Sequence, residues 1–64
     1  MLRGTLVIVN DKVKPPHLKG TVGIVVARSS KTGHIEVYSE YEGYTTNIYY
    51  PEECLEVLEQ PREL

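Results

Sequence analysis

The sequence predicts a single small all-β domain, a five-stranded barrel, on three observations. The chain has 64 residues, which is enough for one hydrophobic core but not for two. Valine, isoleucine and tyrosine supply much of its apolar content, and β-branched and aromatic side chains favour strands over helices. Turn-forming residues recur at intervals of about ten residues, which is typical of a small antiparallel barrel.

The first half of the chain contains two predicted strands separated by a long loop. Residues 5–9 and 21–28 are rich in β-branched side chains and are predicted to form the first and second strands. The loop at residues 10–20 contains Pro15 and Pro16. Because proline has no backbone N–H to donate, these residues interrupt any strand pairing there.

Two glycines lie in or near the second strand. Gly23 lies inside this strand and predicts either a bulge or a close approach of two backbones. Gly33 ends a predicted turn at residues 29–33, where glycine accepts the positive φ that closes a hairpin.

The third strand, at residues 34–39, shows the clearest alternation. Its pattern directs Ile35 and Val37 towards the core and Tyr38 towards solvent. We expect a turn at residues 40–43 to follow it.

The remaining elements are a fourth strand, one helical turn and a short last strand. Residues 43–50 form the predicted fourth strand, and residues 55–58 the fifth. Between them, Pro51-Glu52-Glu53 fits a single helical turn, because proline favours the first helical position and acids favour the first turn. Residues 60–64 are predicted to be a frayed tail.

This order of elements resembles that of SH3-like barrels, over nearly the whole chain. Five strands, a long first loop, two tight hairpins and a one-turn helix before the last strand are shared with that group. The resemblance implies one SH3-like barrel at residues 1–59, followed by the tail.

A more specific resemblance covers residues 18–38, LKGTVGIVVARSSKTGHIEVY. This segment is similar to the KOW motif of ribosomal and transcription-elongation proteins, in which a loop delivers a glycine into a strand, here Gly20 and Gly23. The preceding Val9-Asn10-Asp11-Lys12-Val13 resembles the Val-Gly-Asp-x-Val segment common in such barrels. The resemblance implies a role with nucleic acid or with ribosome or transcription complexes.

Charge is unevenly distributed along the chain, although the net charge is only −2. Residues 1–34 hold six Lys or Arg against one Asp, whereas residues 35–64 hold one Arg against eight Glu. The interpretation we favour from sequence is a solvated surface on which cross-strand Lys–Glu pairs cancel the split. The alternative is that Lys12, Lys14, His17 and Lys19 gather on the long loop and contact an anionic partner.

All five aromatic residues are tyrosines, and all lie between positions 38 and 50. Tyr44 and Tyr50 share one parity on the fourth strand, so some of these rings are expected to complete a core that lacks Phe and Trp. Tyr38, Tyr41 and Tyr49 are then expected to face outward or to lie on a turn. Exposed tyrosine is enriched at interfaces, so these three are candidate partner contacts.

The residue pattern predicts neither an enzyme nor a cofactor or metal site. His17, His34 and Cys54 are separated by 17 and 20 residues, which matches no zinc-binding spacing. Both histidines are expected to be exposed polar residues, and no nucleophile or carboxylate is placed to pair with them predictably.

Cysteine content and hydropathy indicate the cellular compartment of the protein. Cys54 is alone and cannot close an internal disulfide, so we expect a small buried hydrophobe in a reducing cytoplasm. No apolar run approaches the roughly 18 residues that span a bilayer, and the apolar start is too short for a signal peptide.

Two functions follow as hypotheses. The first is a non-enzymatic adaptor, or accessory or regulatory subunit, that docks to a larger protein through exposed tyrosines and the charged loop. Small SH3-like subunits of photosynthetic complexes and bacterial antirepressors are similar in shape, and Tyr49-Tyr50-Pro51-Glu52-Glu53 resembles the end of one antirepressor type. The alternative is a KOW-type nucleic-acid module. An exposed edge strand is also compatible with a homodimer.

Overall fold

Five antiparallel strands form one sheet in the computed structural model, which describes residues 1–61 except for the side chain of Tyr41. The strands are β1 (Leu6–Val9), β2 (Val22–Arg28), β3 (Ile35–Tyr41), β4 (Tyr44–Tyr50) and β5 (Leu55–Glu59). Their order across the sheet is β4-β3-β2-β1-β5. The predicted all-β class with five strands is therefore confirmed, and the described part of the predicted tail is limited to Gln60 and Pro61.

Closure of the sheet into a barrel stays a prediction, as does the resemblance to SH3-like and KOW proteins. β4 and β5 lie at opposite ends of the strand order, so the hydrogen-bonded pairs run from one edge strand to the other without closing a ring. What the strand order does determine is that β2 is the central strand.

Two single turns of 3₁₀-helix complete the described structure. One, Pro16–Leu18, lies inside the long loop, and the other, Glu52–Cys54, precedes β5 where a helical turn was predicted. Pro51 caps this second turn, and both Glu52 and Glu53 lie in it. No helix in the described part of the chain is long and apolar enough to cross a bilayer.

The turn between β3 and β4 is shorter than the sequence predicted. The structure extends β3 to Tyr41 and leaves only Glu42 and Gly43 between the strands. Both residues have positive φ, 51° and 83° respectively, which is the conformation that closes a two-residue hairpin without splaying its strands. The predicted turn at residues 40–43 is therefore two residues too long.

The hydrophobic core lies on one face of the sheet. Ile35 and Val37 are fully buried, as the alternation of β3 predicted. The other buried apolar residues come from every remaining strand and from the loops: Val7, Val9, Val13, Leu18, Val25, Tyr50, Cys54 and Leu55. Cys54 is a buried free thiol, as expected.

Tyr44 and Tyr50, which the alternation of β4 assigns to the same face of the sheet, have different environments. Tyr50 is buried against the core, whereas Tyr44 is 75% exposed. Tyr44 begins β4 beside the two-residue turn and pairs with Tyr41 at the end of the hairpin, beyond the reach of the core residues. The expectation that some rings complete the core is confirmed for Tyr50 and is wrong for Tyr44.

Gly23 lies at a close approach of β2 and β3. A Cβ at this position would be 2.5 Å from Val37 Cγ1 and 2.6 Å from the carbonyl oxygen of Tyr38, distances that no side chain tolerates. The predicted close approach is thus confirmed. The irregularity in the β2–β3 register lies further along, between Val25 and Ala27, so Gly23 is not itself the bulge.

Gly23→Ala is expected to destabilise the fold by about 1–3 kcal/mol, because the new methyl group overlaps Val37 and the backbone of β3. The measurement is the free energy of unfolding from urea denaturation. Ala27→Ser, on the exposed part of the same strand, is the matched control and should stay within about 0.5 kcal/mol of wild type. Equal stability of the two variants would contradict the close contact.

Candidate functional site

An open groove separates the long loop from the end of β4 and the second 3₁₀ turn. Its volume is about 280 Å³. The loop supplies one wall with two lysines, the end of β4 and the following turn supply the other, and apolar side chains form the lining between them. We call it the loop groove, and it is lined by Lys12, Val13, Lys14, Pro15, Leu18, Ile48, Tyr49, Tyr50, Pro51, Glu53 and Cys54.

Asn10 fastens the start of the long loop to the second 3₁₀ turn. Its side-chain Nδ2 donates a hydrogen bond to the carbonyl oxygen of Glu53 at 2.8 Å, and its backbone N–H donates to that of Cys54 at 2.8 Å. Its Oδ1 accepts from the backbone N–H of Lys12 at 2.9 Å, which turns the chain at this point. One amide side chain therefore sets the separation of the two walls of the loop groove.

The far end of the loop is anchored by the first 3₁₀ turn. Leu18 is buried in the core, and its carbonyl oxygen accepts a hydrogen bond from Thr21 Oγ1 at 2.7 Å. The backbone N–H of Gly20 donates to Val9 at 2.8 Å, which joins the loop to β1. The irregular loop predicted from Pro15 and Pro16 is thus held at both ends, and its lysines extend from an ordered backbone.

The groove combines an apolar lining with separated charges. Lys12 and Lys14 are exposed on the loop wall, and Glu53 is exposed on the opposite wall. Tyr50 belongs to the lining, but its hydroxyl is buried and has no hydrogen-bond partner among the described residues. Burial, together with the nearby Cys54, raises the pKa of Tyr50 above its ordinary value. The packing therefore uses the ring of Tyr50 rather than its hydroxyl.

Tyr49 borders the loop groove and is held from the side of β3. Its hydroxyl donates to Glu36 Oε1 at 3.3 Å, while Asn47 Nδ2 donates to Glu36 Oε2 at 2.9 Å. The negative charge of Glu36 is the main cause that raises the pKa of Tyr49. The ring remains 53% exposed, so Tyr49 presents a large contact surface in a restrained orientation.

The structure brings together three of the seven residues predicted to contact a partner. Lys12, Lys14 and Tyr49 line the loop groove. Tyr38 is exposed on β3, where it pairs with Asn47 on the same face as Tyr49. The outward orientation predicted for Tyr38 and Tyr49 is therefore confirmed.

The other predicted contacts lie apart from the loop groove. Lys19 borders a separate hollow that it shares with Asp11 and Glu56. His17 is exposed within the first 3₁₀ turn. Tyr41 ends β3 at the far end of the β3–β4 hairpin, and its side chain lies outside the described residues.

His34 departs from its predicted exposure. It is half-buried beside the turn that connects β2 to β3. Its backbone N–H donates to Thr32 Oγ1 at 3.2 Å, and its carbonyl oxygen accepts from Ser29 at 2.9 Å. These hydrogen bonds hold the residue against the turn, which is why it is not an open surface position.

The cross-strand Lys–Glu pairs expected from sequence do not form, because no lysine lies in any of the five strands. Arg28 is the sole cation in the five strands of residues 1–61, and its guanidinium binds the carboxylate of Glu52 at 2.8 Å. This hydrogen bond and the positive charge of Arg28 lower the pKa of Glu52. The charge split between chain halves becomes a set of strands with four glutamates against one arginine, beside a long loop with three lysines against one aspartate.

The residues that shape the loop groove were not predicted from the sequence. Asn10 acts through partners 43 residues away, which no local pattern indicates. Val13, Pro51 and Glu53 line the groove only because the loop folds back onto β4. The Asn10-Asp11-Lys12 segment, a typical Asx turn, is the one local signal of this arrangement.

Two further findings concern the site. Within residues 1–61, no group of three or more His, Cys, Asp or Glu side chains is placed to hold a metal ion. No protein-family model, curated protein or solved structure matches this chain.

Glu36→Gln is expected to lower the pKa of Tyr49 towards 10.0, its ordinary value, because the nearby negative charge is removed. The pKa is measured from the ¹³Cζ shift of Tyr49 across an alkaline titration. Because the folded-state pKa of Tyr49 is raised, its contribution favours folding at lower pH and is lost as the pH rises through that pKa.

The control for this titration is Glu40→Gln, which removes a carboxylate from the same strand without touching the bond between Tyr49 and Glu36. It should change the pKa of Tyr49 less than Glu36→Gln does. An identical Tyr49 pKa in wild type and Glu36→Gln would show that the two side chains are not in contact.

Proposed function

We propose that this chain is a non-catalytic protein-binding module, an adaptor or accessory subunit that docks onto a larger protein through the loop groove. The observation that carries the proposal is the convergence of Lys12, Lys14 and Tyr49 on one groove with an apolar lining. Each of these residues was expected to be an exposed contact on independent grounds, and all three line the loop groove. A cytoplasmic location agrees with a lone, buried, free cysteine.

The dimensions and composition of the loop groove favour a protein segment over a small metabolite. Its volume of about 280 Å³ lies close to the lower limit of the roughly 300–1,000 Å³ typical of small-molecule sites. Tyrosine side chains at its border supply rigid contact area with little loss of side-chain entropy. An extended segment of a partner can pack an apolar side chain between the walls and continue beyond both ends of the groove.

The charges of the groove indicate what that segment carries. Lys12 and Lys14 lie on one wall with their side chains exposed to solvent, so they favour carboxylates on the partner. Exposed charges at the rim of an interface contribute more to orientation and association rate than to affinity. We therefore expect an apolar anchor flanked by acidic residues, with the anchor supplying most of the binding free energy.

A nucleic-acid module of KOW type is the alternative. Its support is that Lys12, Lys14, His17 and Lys19 are all exposed on a single loop. These groups make a small basic surface on a chain of pI near 5.6, and four phosphate contacts imply weak, strongly salt-dependent binding. The protein-binding proposal and this alternative therefore differ in how binding responds to salt and in whether Tyr49 matters.

Substitutions in the loop groove are expected to weaken binding to the partner protein. The partner is first identified in the native host by photo-crosslinking from a benzoylphenylalanine at position 14, with position 31 in the β2–β3 turn as the control site. Tyr49→Ala should then lower the affinity for the purified partner by about tenfold or more. Lys12→Glu/Lys14→Glu should lower the association rate.

The matched control is Lys31→Glu, which reverses an exposed lysine away from the loop groove and should leave affinity unchanged. Equal affinity of wild type and Tyr49→Ala would contradict the proposal. Sub-micromolar binding to RNA or DNA in filter assays, with a steep salt dependence and no effect of Tyr49→Ala, would favour the nucleic-acid alternative instead.

A further inference from the structure

The face of the sheet that points away from the core carries a continuous apolar surface across its three central strands. Leu6 on β1 pairs with Ile24 on β2, and Ile24 pairs with Tyr38 on β3. One step along, Ile8 pairs with Val22. We call these five residues the outer patch, and Val22, Ile24 and Tyr38 are each close to half exposed.

An exposed apolar row of this kind is unusual for an antiparallel sheet. Sheets with one solvated face normally alternate apolar residues inside with polar residues outside. β2 instead reads Val-Gly-Ile-Val-Val, so its outward positions are as apolar as its inward ones. Single exposed apolar residues are ordinary, whereas a contiguous patch rimmed by charged residues is characteristic of an interaction surface.

Glutamates flank the outer patch on both sides. On β5, Glu56 pairs with Ile8 and Glu59 pairs with Leu6. On β3, Glu36 and Glu40 lie two residues before and after Tyr38, so all three side chains share one face. We call Glu36, Glu40, Glu56 and Glu59 the acidic rim.

Little on the protein neutralises the acidic rim. Arg28, the one cation within the described strands, already binds Glu52. Lys19 shares a hollow with Glu56 and offsets part of the charge at that corner. The other three rim carboxylates have no Lys or Arg partner within ion-pair distance among the described residues.

The negative charge of the acidic rim determines which kind of partner can bind to the apolar face. A second copy docked through the same face would oppose eight glutamates, because a two-fold interface repeats each residue, and like charges disfavour such contacts. Phosphates of a nucleic acid or an anionic membrane would be repelled in the same way. A segment that carries both apolar and cationic side chains complements the patch and the rim together.

We propose that the outer patch and its acidic rim are a second docking surface, which takes a cationic amphipathic segment of a protein partner. Apolar side chains of that segment cover Ile24 and its neighbours, while lysines or arginines reach the glutamates on either side. The proposal does not rest on the proposed function, because the outer patch and the acidic rim share no residue with the loop groove. The two surfaces meet at one point, where Glu36 of the rim accepts the hydrogen bond of Tyr49.

The probe for this surface is a synthetic helical peptide of leucine and lysine, amphipathic and about four turns long. Its counterpart keeps the leucines and replaces every lysine by glutamate. Each is titrated into the isotopically labelled full chain at about 0.15 M salt, and binding is followed by NMR shifts of backbone amides and methyl groups. Saturable binding of the lysine peptide alone is expected, with the largest shifts at Val22, Ile24 and Tyr38.

Two variants test the contributions of the patch and the rim separately. Ile24→Lys places a positive charge in the outer patch, which repels the lysines of the peptide. It should lower the affinity for the lysine peptide by about tenfold or more. Glu56→Gln/Glu59→Gln, at exposed positions where folding is not at risk, should weaken it severalfold and reduce its salt dependence. Glu42→Gln, which removes an exposed carboxylate of the β3–β4 turn outside the acidic rim, is the matched control and should bind the peptide as wild type does.

Three results would overturn the proposal. Equal affinity for the lysine and glutamate peptides would show that the acidic rim does not favour a cationic partner. Shifts that map to the loop groove, or no saturable binding of either peptide, would show that the outer patch is not the docking surface. A dimer in sedimentation that protects Ile24 from solvent would identify a second copy as its occupant.

Discussion

The packing of Val37 against the bare backbone of Gly23 joins the central strand β2 to β3, and the rest of the sheet depends on this contact. β2 is the middle strand, with two strands on either side, so a gap here would separate the molecule into two halves. The missing side chain lets a Val37 methyl group lie 2.5 Å from the position that a Cβ would take. Val25 and Val37 pair next to it and are both buried, and they continue the same packing into the core.

One consequence of this arrangement is that a single face of the sheet supplies nearly the whole core. The long loop adds Val13 and Leu18, and the second 3₁₀ turn adds Cys54. These residues cover the core where the strands end, and in doing so they create the loop groove. The opposite face of the central strands receives no such cover in the described structure, which leaves Val22 and Ile24 in contact with solvent.

A second consequence is the separation of charge. The strands hold the acidic rim, whereas Lys12, Lys14 and Lys19 all lie on the long loop. The two surfaces proposed for binding therefore differ in sign as well as in position. Such a molecule is suited to contact an acidic segment at one place and a basic segment at another, which agrees with a role as an adaptor.

The sequence was sufficient to predict the elements of the fold, because their signals are local. Alternation placed Ile35 and Val37 inside, and glycine and proline marked the loops and turns. Parity alone could not separate Tyr50 from Tyr44, since the depth of a side chain depends on where along the strand the core ends. The length of the β3–β4 turn was missed because Glu42 adopts the positive φ that asparagine or glycine usually supplies.

The site was harder to predict, because it is built from contacts between distant parts of the chain. The hydrogen bonds of Asn10 to Glu53 and Cys54 have no signature in either segment. The charge separation, by contrast, could have been predicted from the sequence, since none of the predicted strands contains a lysine. The apolar outward positions of β2 were also visible in its sequence, but an unbroken apolar run does not show which of its two faces is covered.

The sheet has one covered face and one open apolar face. Solvent paramagnetic relaxation of methyl groups, measured on the full chain with a neutral gadolinium chelate, tests this arrangement. We expect strong relaxation of the Val22 and Ile24 methyl groups and weak relaxation of those of Val25 and Val37. Equal, weak relaxation at all four residues would contradict it, because the outer face would then be covered.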